Sequence, residues 1–228
     1  MAEQSQAVSD LKSWDRWWSA SGVAAVALFV LGLIFADLFA SPGFPAYNAS
    51  LQRIDAFFSD DRAEAIGISI CHSLSAAALL IFVVHLHEVL RRAGTRERRL
   101  ATLALGGGIA ASILLLLSAV LYWTLTRAEV AREPGVAQAV LVLSYLVGGQ
   151  ALALALAAFI GATSVVALRT NLLPSWIGRL GAATAGISVL SVAWLIWDPA
   201  FSLLLLAAAL GFLWLLATSI ALAQTTQP

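Results

Sequence analysis

The sequence predicts an all-α polytopic membrane protein: a six-helix transmembrane bundle with a short amphipathic helix on its outer side. Six stretches carry no Lys, Arg, Asp or Glu: Trp17 to Ala36, Ala65 to Val84, Leu100 to Thr126, Pro134 to Leu168, Leu180 to Trp197 and Pro199 to Pro228. About 20 mostly apolar residues in a helix cross the ~30 Å hydrocarbon layer, and each stretch can do so. The 228 residues are 61% hydrophobic and 11% charged, with mean hydropathy +0.89, whereas soluble domains are nearer one-quarter charged. Inside lipid the backbone must satisfy its own hydrogen bonds, and a helix does this within one segment.

The elements follow in order, with expected spans at 17–40, 64–90, 100–126, 136–168, 177–197 and 199–223 of a single transmembrane domain. Met1 to Ser13 is polar and is expected to be mobile. Trp14, Trp17 and Trp18 then mark an interfacial belt, because indole rings favour headgroup depth. The first span is too long for the apolar core of a secretory signal, so it reads as a retained helix. It ends near Asp37 to Ala40, before the breakers Ser41-Pro42-Gly43 and Pro45. Between Tyr47 and Arg62, Leu51, Ile54, Phe57 and Phe58 recur at helical spacing and predict the amphipathic helix.

Acidic residues Asp60, Asp61 and Glu64 open the second span and Arg91 and Arg92 close it, as the helix dipole favours. Tyr122 and Trp123 anchor the far end of the third. The fourth begins at Pro134 and is longer than a bilayer needs, so it should tilt, project beyond the bilayer or bend near Gly148-Gly149. Trp176 enters the fifth, and Asp198-Pro199 reads as an N-cap and first-turn proline starting the sixth at once. Gly178, Ala182 and Gly186, four apart, and Gly108 with Ser112 are the expected close-packing faces.

Charge sets the orientation. Nine of the thirteen basic residues fall on the side holding the termini, including the run Arg91 to Arg99. The positive-inside rule then places both termini in the cytoplasm of an inner membrane. Net charge is zero and no polybasic tail points to nucleic acid. Lys12 precedes the first span and is the only lysine, which excludes a Schiff base within the bilayer. Cys71 is the only cysteine, so no internal disulfide forms.

The candidate chemistry is sparse. The second span holds all three histidines. His85, His87 and Glu88 sit one turn before Arg91 and Arg92 and read as a cytoplasmic-end cluster, with Glu88 pairing to an arginine three or four residues on. His72 lies about six residues, ~9 Å, inside the outer end. Its readings are a hydrogen bond to a neighbouring helix, a titrating switch, or a haem or metal ligand. His72 and His85 are thirteen apart, ~220° around the helix, and no other span supplies a histidine or methionine. Neither haem nor zinc is therefore expected within one chain, and no cofactor is. Ser69 and Ser73 near His72 lack the geometry of a nucleophile elbow. Asp37 and Asp198 fall at one outer level, as caps or an acidic mouth. Tyr145 and Gln150, with Gln138, Ser144, Thr163 and Ser164, make the fourth span polar-dotted, either lining a cavity or joining helices.

Phe44-Pro45-Ala46-Tyr47-Asn48, the His72 span, the Arg91-to-Arg99 loop and Asn171-Leu172-Leu173-Pro174-Ser175-Trp176-Ile177-Gly178 together resemble small six-helix integral membrane proteins of unknown function from actinobacteria. That resemblance implies fold and a bacterial source and carries no activity. The leading expectation is a non-enzymatic protein binding a lipid or hydrophobic small molecule, or serving as subunit to a protein partner or a second copy of itself. The alternatives are a small permease using His72, Tyr145 and Gln150, and an intramembrane enzyme.

Overall fold

The computed structural model describes residues 2–36, 43–95, 97–131 and 133–225, with side chains from residue 17 onward in the first of these. Among them no strand occurs, and six helices are long and apolar enough to cross a membrane. The chain is a multi-pass, all-α membrane protein. The elements are α1 (Ala2–Ile34), α2 (Leu51–Asp60), α3 (Arg62–Arg92), α4 (Arg98–Leu125), α5 (Ala128–Ala131), α6 (Pro134–Tyr145), α7 (Leu152–Thr170), α8 (Ser175–Leu190) and α9 (Phe201–Thr225). A π-helical stretch, Leu146–Ala151, joins α6 to α7 in one long span. The irregularity expected near Gly148-Gly149 therefore takes the form of an over-wide turn. α1 starts earlier than expected: a nucleated helix propagates cheaply, and it runs back through the polar residues to Ala2. Asp37 lies outside the described residues.

Consecutive spans are neighbours, and α1 also packs on α9, so the six close into a ring. α7 touches α9 across it. At one end, called here the basic end, lie Arg91, Arg92, Arg98, Arg169 and Arg179. At the opposite, aromatic end, α2 caps the ring. Ser50 opens α2 by accepting from the Arg53 amide, and Ile54, Phe57 and Phe58 are buried against α3 and α6. Leu51 remains exposed although it shares their face, because it stands at the first position of the short helix. α7 ends at Asn171 in the left-handed conformation (φ 54°), which an asparagine tolerates, and Pro174 immediately starts α8.

Lipid is as apolar as leucine, so burial from water cannot hold these helices together, and close backbone approach does. The triple glycine divides that work. A Cβ on Gly107 would meet the Phe159 amide nitrogen at 2.6 Å and the Ala155 carbonyl at 2.9 Å, so α4 lies directly on the backbone of α7. Gly108 faces Val83 of α3, and a Cβ on Gly106 would meet nothing within 4 Å. Gly108 and Ser112 are both buried, as expected. The face expected on α8 is displaced: Ala182 and Gly186 are exposed, and Gly178, Gly181, Thr184 and Ser188 are buried. That face advances by steps of three, three and four because α8 sits between α7 and α9, and a strict four-residue stripe drifts out of the wedge.

Gly107→Ala should destabilise the bundle by about 1–3 kcal/mol or more, since the added methyl meets backbone that cannot rotate away. Gly106→Ala should be neutral or stabilising by roughly 0.5–1 kcal/mol through helix propensity. Thermal unfolding of the two variants in one detergent measures the contrast.

Candidate functional site

His72 stands ten residues, ~15 Å, from the start of α3 at Arg62, and seven residues, ~10 Å, from the start of the apolar run at Ala65. The helix begins earlier than the apolar run does, because Arg62, Ala63 and Glu64 extend it. The imidazole is buried and stacks on Phe29 of α1, with centroids 4.4 Å apart and planes 12° from parallel. It is hydrogen-bonded to the Phe29 backbone, while Nε2 has no partner. The bond to a carbonyl assigns the proton to Nδ1, which leaves Nε2 as a buried acceptor. Gly32 makes room for the ring, since a Cβ there would lie 2.8 Å from Nε2.

From His72 a continuous file of rings leads to the aromatic end. Tyr122 of α4 lies 6.2 Å from His72, and Phe44 lies 5.0 Å from Tyr122. Phe44 meets Tyr145 at 6.2 Å, and Tyr145 meets Tyr47 at 6.1 Å. Tyr47 packs on Trp194 and Phe201, and its hydroxyl donates to Asp198 Oδ1 at 3.2 Å. The segment carrying Phe44 and Tyr47 is drawn into the ring: Arg53 Nη2 donates to the Gly43 carbonyl and the Tyr145 hydroxyl donates to the Pro45 carbonyl. Beneath it the Tyr122 hydroxyl is hydrogen-bonded to the side chains of Ser118 and Ser144. A side chain on Gly148, in the π turn, would collide with Ser118, so glycine there admits this polar cluster.

The remaining sequence candidates go elsewhere. Gln150 is buried and donates to Ser191 Oγ at 3.4 Å, tying the π turn to the end of the fifth span. Tyr145 and Gln150 therefore do not converge with His72 on one polar site; only Tyr145 belongs to the ring file. The Asp198 carboxylate, expected as a helix cap, is engaged by Tyr47, and a single 3-10 turn (Asp198–Ala200) leads into α9. Ser69 and Ser73 donate to the carbonyls four residues back, at 2.9 and 2.7 Å, so neither hydroxyl is directed at His72.

The basic-end cluster separates by direction. Glu88 pairs with Arg91 at 3.6 Å, both half exposed, as the i,i+3 spacing suggests. His85 Nε2 lies 3.1 Å from Ser19 Oγ on α1, and His87 Nδ1 donates to the Ala101 carbonyl of α4 at 3.0 Å. The histidines thus join helices; Arg92 is exposed beside them. Phe44, Tyr47 and Tyr122 are not among the site residues expected from the sequence: Tyr122 reads there as an interfacial anchor, and Phe44 and Tyr47 fall in the segment between the first span and α2. Comparison with protein families, curated proteins and solved structures found no match.

Tyr47→Phe should destabilise the aromatic end by about 0.5–1.5 kcal/mol through the lost bond to Asp198. Glu88→Gln should change stability by less than about 0.5 kcal/mol, as its ion pair is solvated. Unfolding of both variants against the wild type checks the ranking.

Proposed function

We propose that the chain is a non-enzymatic, multi-pass protein of a bacterial inner membrane, with cytoplasmic termini, that binds a lipid or hydrophobic small molecule in the aromatic half of the ring. The observation that carries this reading is His72: a buried imidazole within the second span whose Nε2 has no protein partner, at the foot of a file of aromatic rings. A buried polar atom without a partner loses about 1–3 kcal/mol, and in lipid no solvent water relieves it. An acceptor nitrogen amid rings suits a ligand with an apolar body and one hydroxyl or amine donor. The permease alternative is less well supported, because Tyr145 and Gln150 are each satisfied by separate partners rather than facing His72. Buried carboxylates or arginines of the kind that couple ions within a membrane are not among the described groups around His72.

Native mass spectrometry of protein extracted with its own lipids tests the proposal. The wild type should retain one hydrophobic species in preference to bulk lipid. His72→Phe should lower its occupancy roughly 2- to 10-fold, the worth of one hydrogen bond. Equal retention by the variant, or no preference in the wild type, would overturn the assignment.

A further inference from the structure

A second set of buried polar groups lies toward the basic end, where α7, α8 and α9 meet. Ser164, Trp214 and Thr218 are each fully buried, and Ser164 Oγ, Trp214 Nε1 and Thr218 Oγ1 all lack a protein partner. They converge. A Cβ on Gly181 would collide with both Ser164 Oγ and Trp214 Nε1, so these two atoms meet over the same bare patch of α8. Thr218 is one turn beyond Trp214 and shares its face. Ser164 and Gly181 each stand six residues, ~9 Å, from the basic ends of their helices, so the depths agree.

The behaviour of other hydroxyls in the bundle makes this set unusual. Ser112, Thr163, Thr170 and Thr184 all donate to the carbonyl four residues back, the ordinary resting place for a hydroxyl in a membrane helix. Ser164 and Thr218 do not. Trp214 can only donate, and its ring is held edge-to-face against Phe159 with centroids 5.7 Å apart. The nearest charged side chains in sequence on α7 and α8, Arg169 and Arg179, are exposed. An ion would therefore be buried without a countercharge, which is far costlier than burying a neutral group.

We propose that Ser164, Trp214 and Thr218 form a binding site for one neutral oxygen atom, which accepts from Trp214 Nε1–H and is hydrogen-bonded to the hydroxyls. That oxygen belongs to an ordered water or to the ester carbonyl of a lipid. Either would lock α8 between α7 and α9. This site is independent of His72 and of the ligand assigned there.

The test is the indole N–H resonance of Trp214 in full-length protein labelled with nitrogen-15 tryptophan, in nanodiscs of phosphatidylglycerol and again in a lipid-free detergent. Trp214→Phe assigns the resonance by deletion; should that variant not fold, single Trp→Phe replacements of the other seven tryptophans assign it by elimination. A through-space cross-peak to water that survives delipidation supports the site with water as occupant. A cross-peak to lipid protons, lost together with a resonance shift on delipidation, supports it with a lipid carbonyl. A resonance without either cross-peak, or one that moves in Ser164→Ala and not in Thr218→Val, means that Trp214 simply donates to Ser164, and overturns the proposal.

Discussion

The structure depends on one constraint: within the hydrocarbon layer nothing but the protein itself can satisfy a peptide group. Every crossing segment is therefore helical, and even the irregular turn at Leu146–Ala151 stays within one continuous span. The same solvent removes the usual drive for helices to associate. Cohesion must come from contacts that lipid cannot imitate, which means backbone on backbone and polar atom on polar atom. Gly107 on the Phe159 amide is the first kind. Ser75 donating to the Ala25 carbonyl at 2.7 Å and Ser219 donating to the Ser19 carbonyl at 2.6 Å are the second.

Against that background a buried polar atom carries information according to its partner. Most hydroxyls here close onto their own helix or bridge to the next, and such groups need no further explanation. His72 differs because its ring is fixed by Phe29 and Gly32 while its second nitrogen is left as an acceptor. The aromatic file from Tyr122 to Tyr47 gives that nitrogen a distinctive setting: large, flat, weakly polar surfaces that run from His72 to the aromatic end. Such surfaces match an apolar ligand body better than they match a hydrated ion.

Much of the architecture was legible in the sequence, and the reason is that a span needs only length and apolarity, both local properties. The pairing of Glu88 with Arg91 was legible for the same reason, since i,i+3 spacing is set within one helix. The face of α8 was not, because glycines and alanines occupy several of its positions and only the two neighbouring helices decide which stripe is covered. Phe44, and the meeting of Ser164 with Trp214 over Gly181, join residues far apart in sequence, and no spacing rule reaches them.

The account rests on six crossings that place the Gly94-Thr95 turn and the Ala49 segment on opposite faces of the membrane. Single cysteines at these positions in a Cys71→Ser background, challenged in intact cells with a membrane-impermeant maleimide, measure this directly. The account predicts that the Ala49→Cys protein is labelled from outside and the Thr95→Cys protein only after permeabilisation. Labelling of both in intact cells would contradict it.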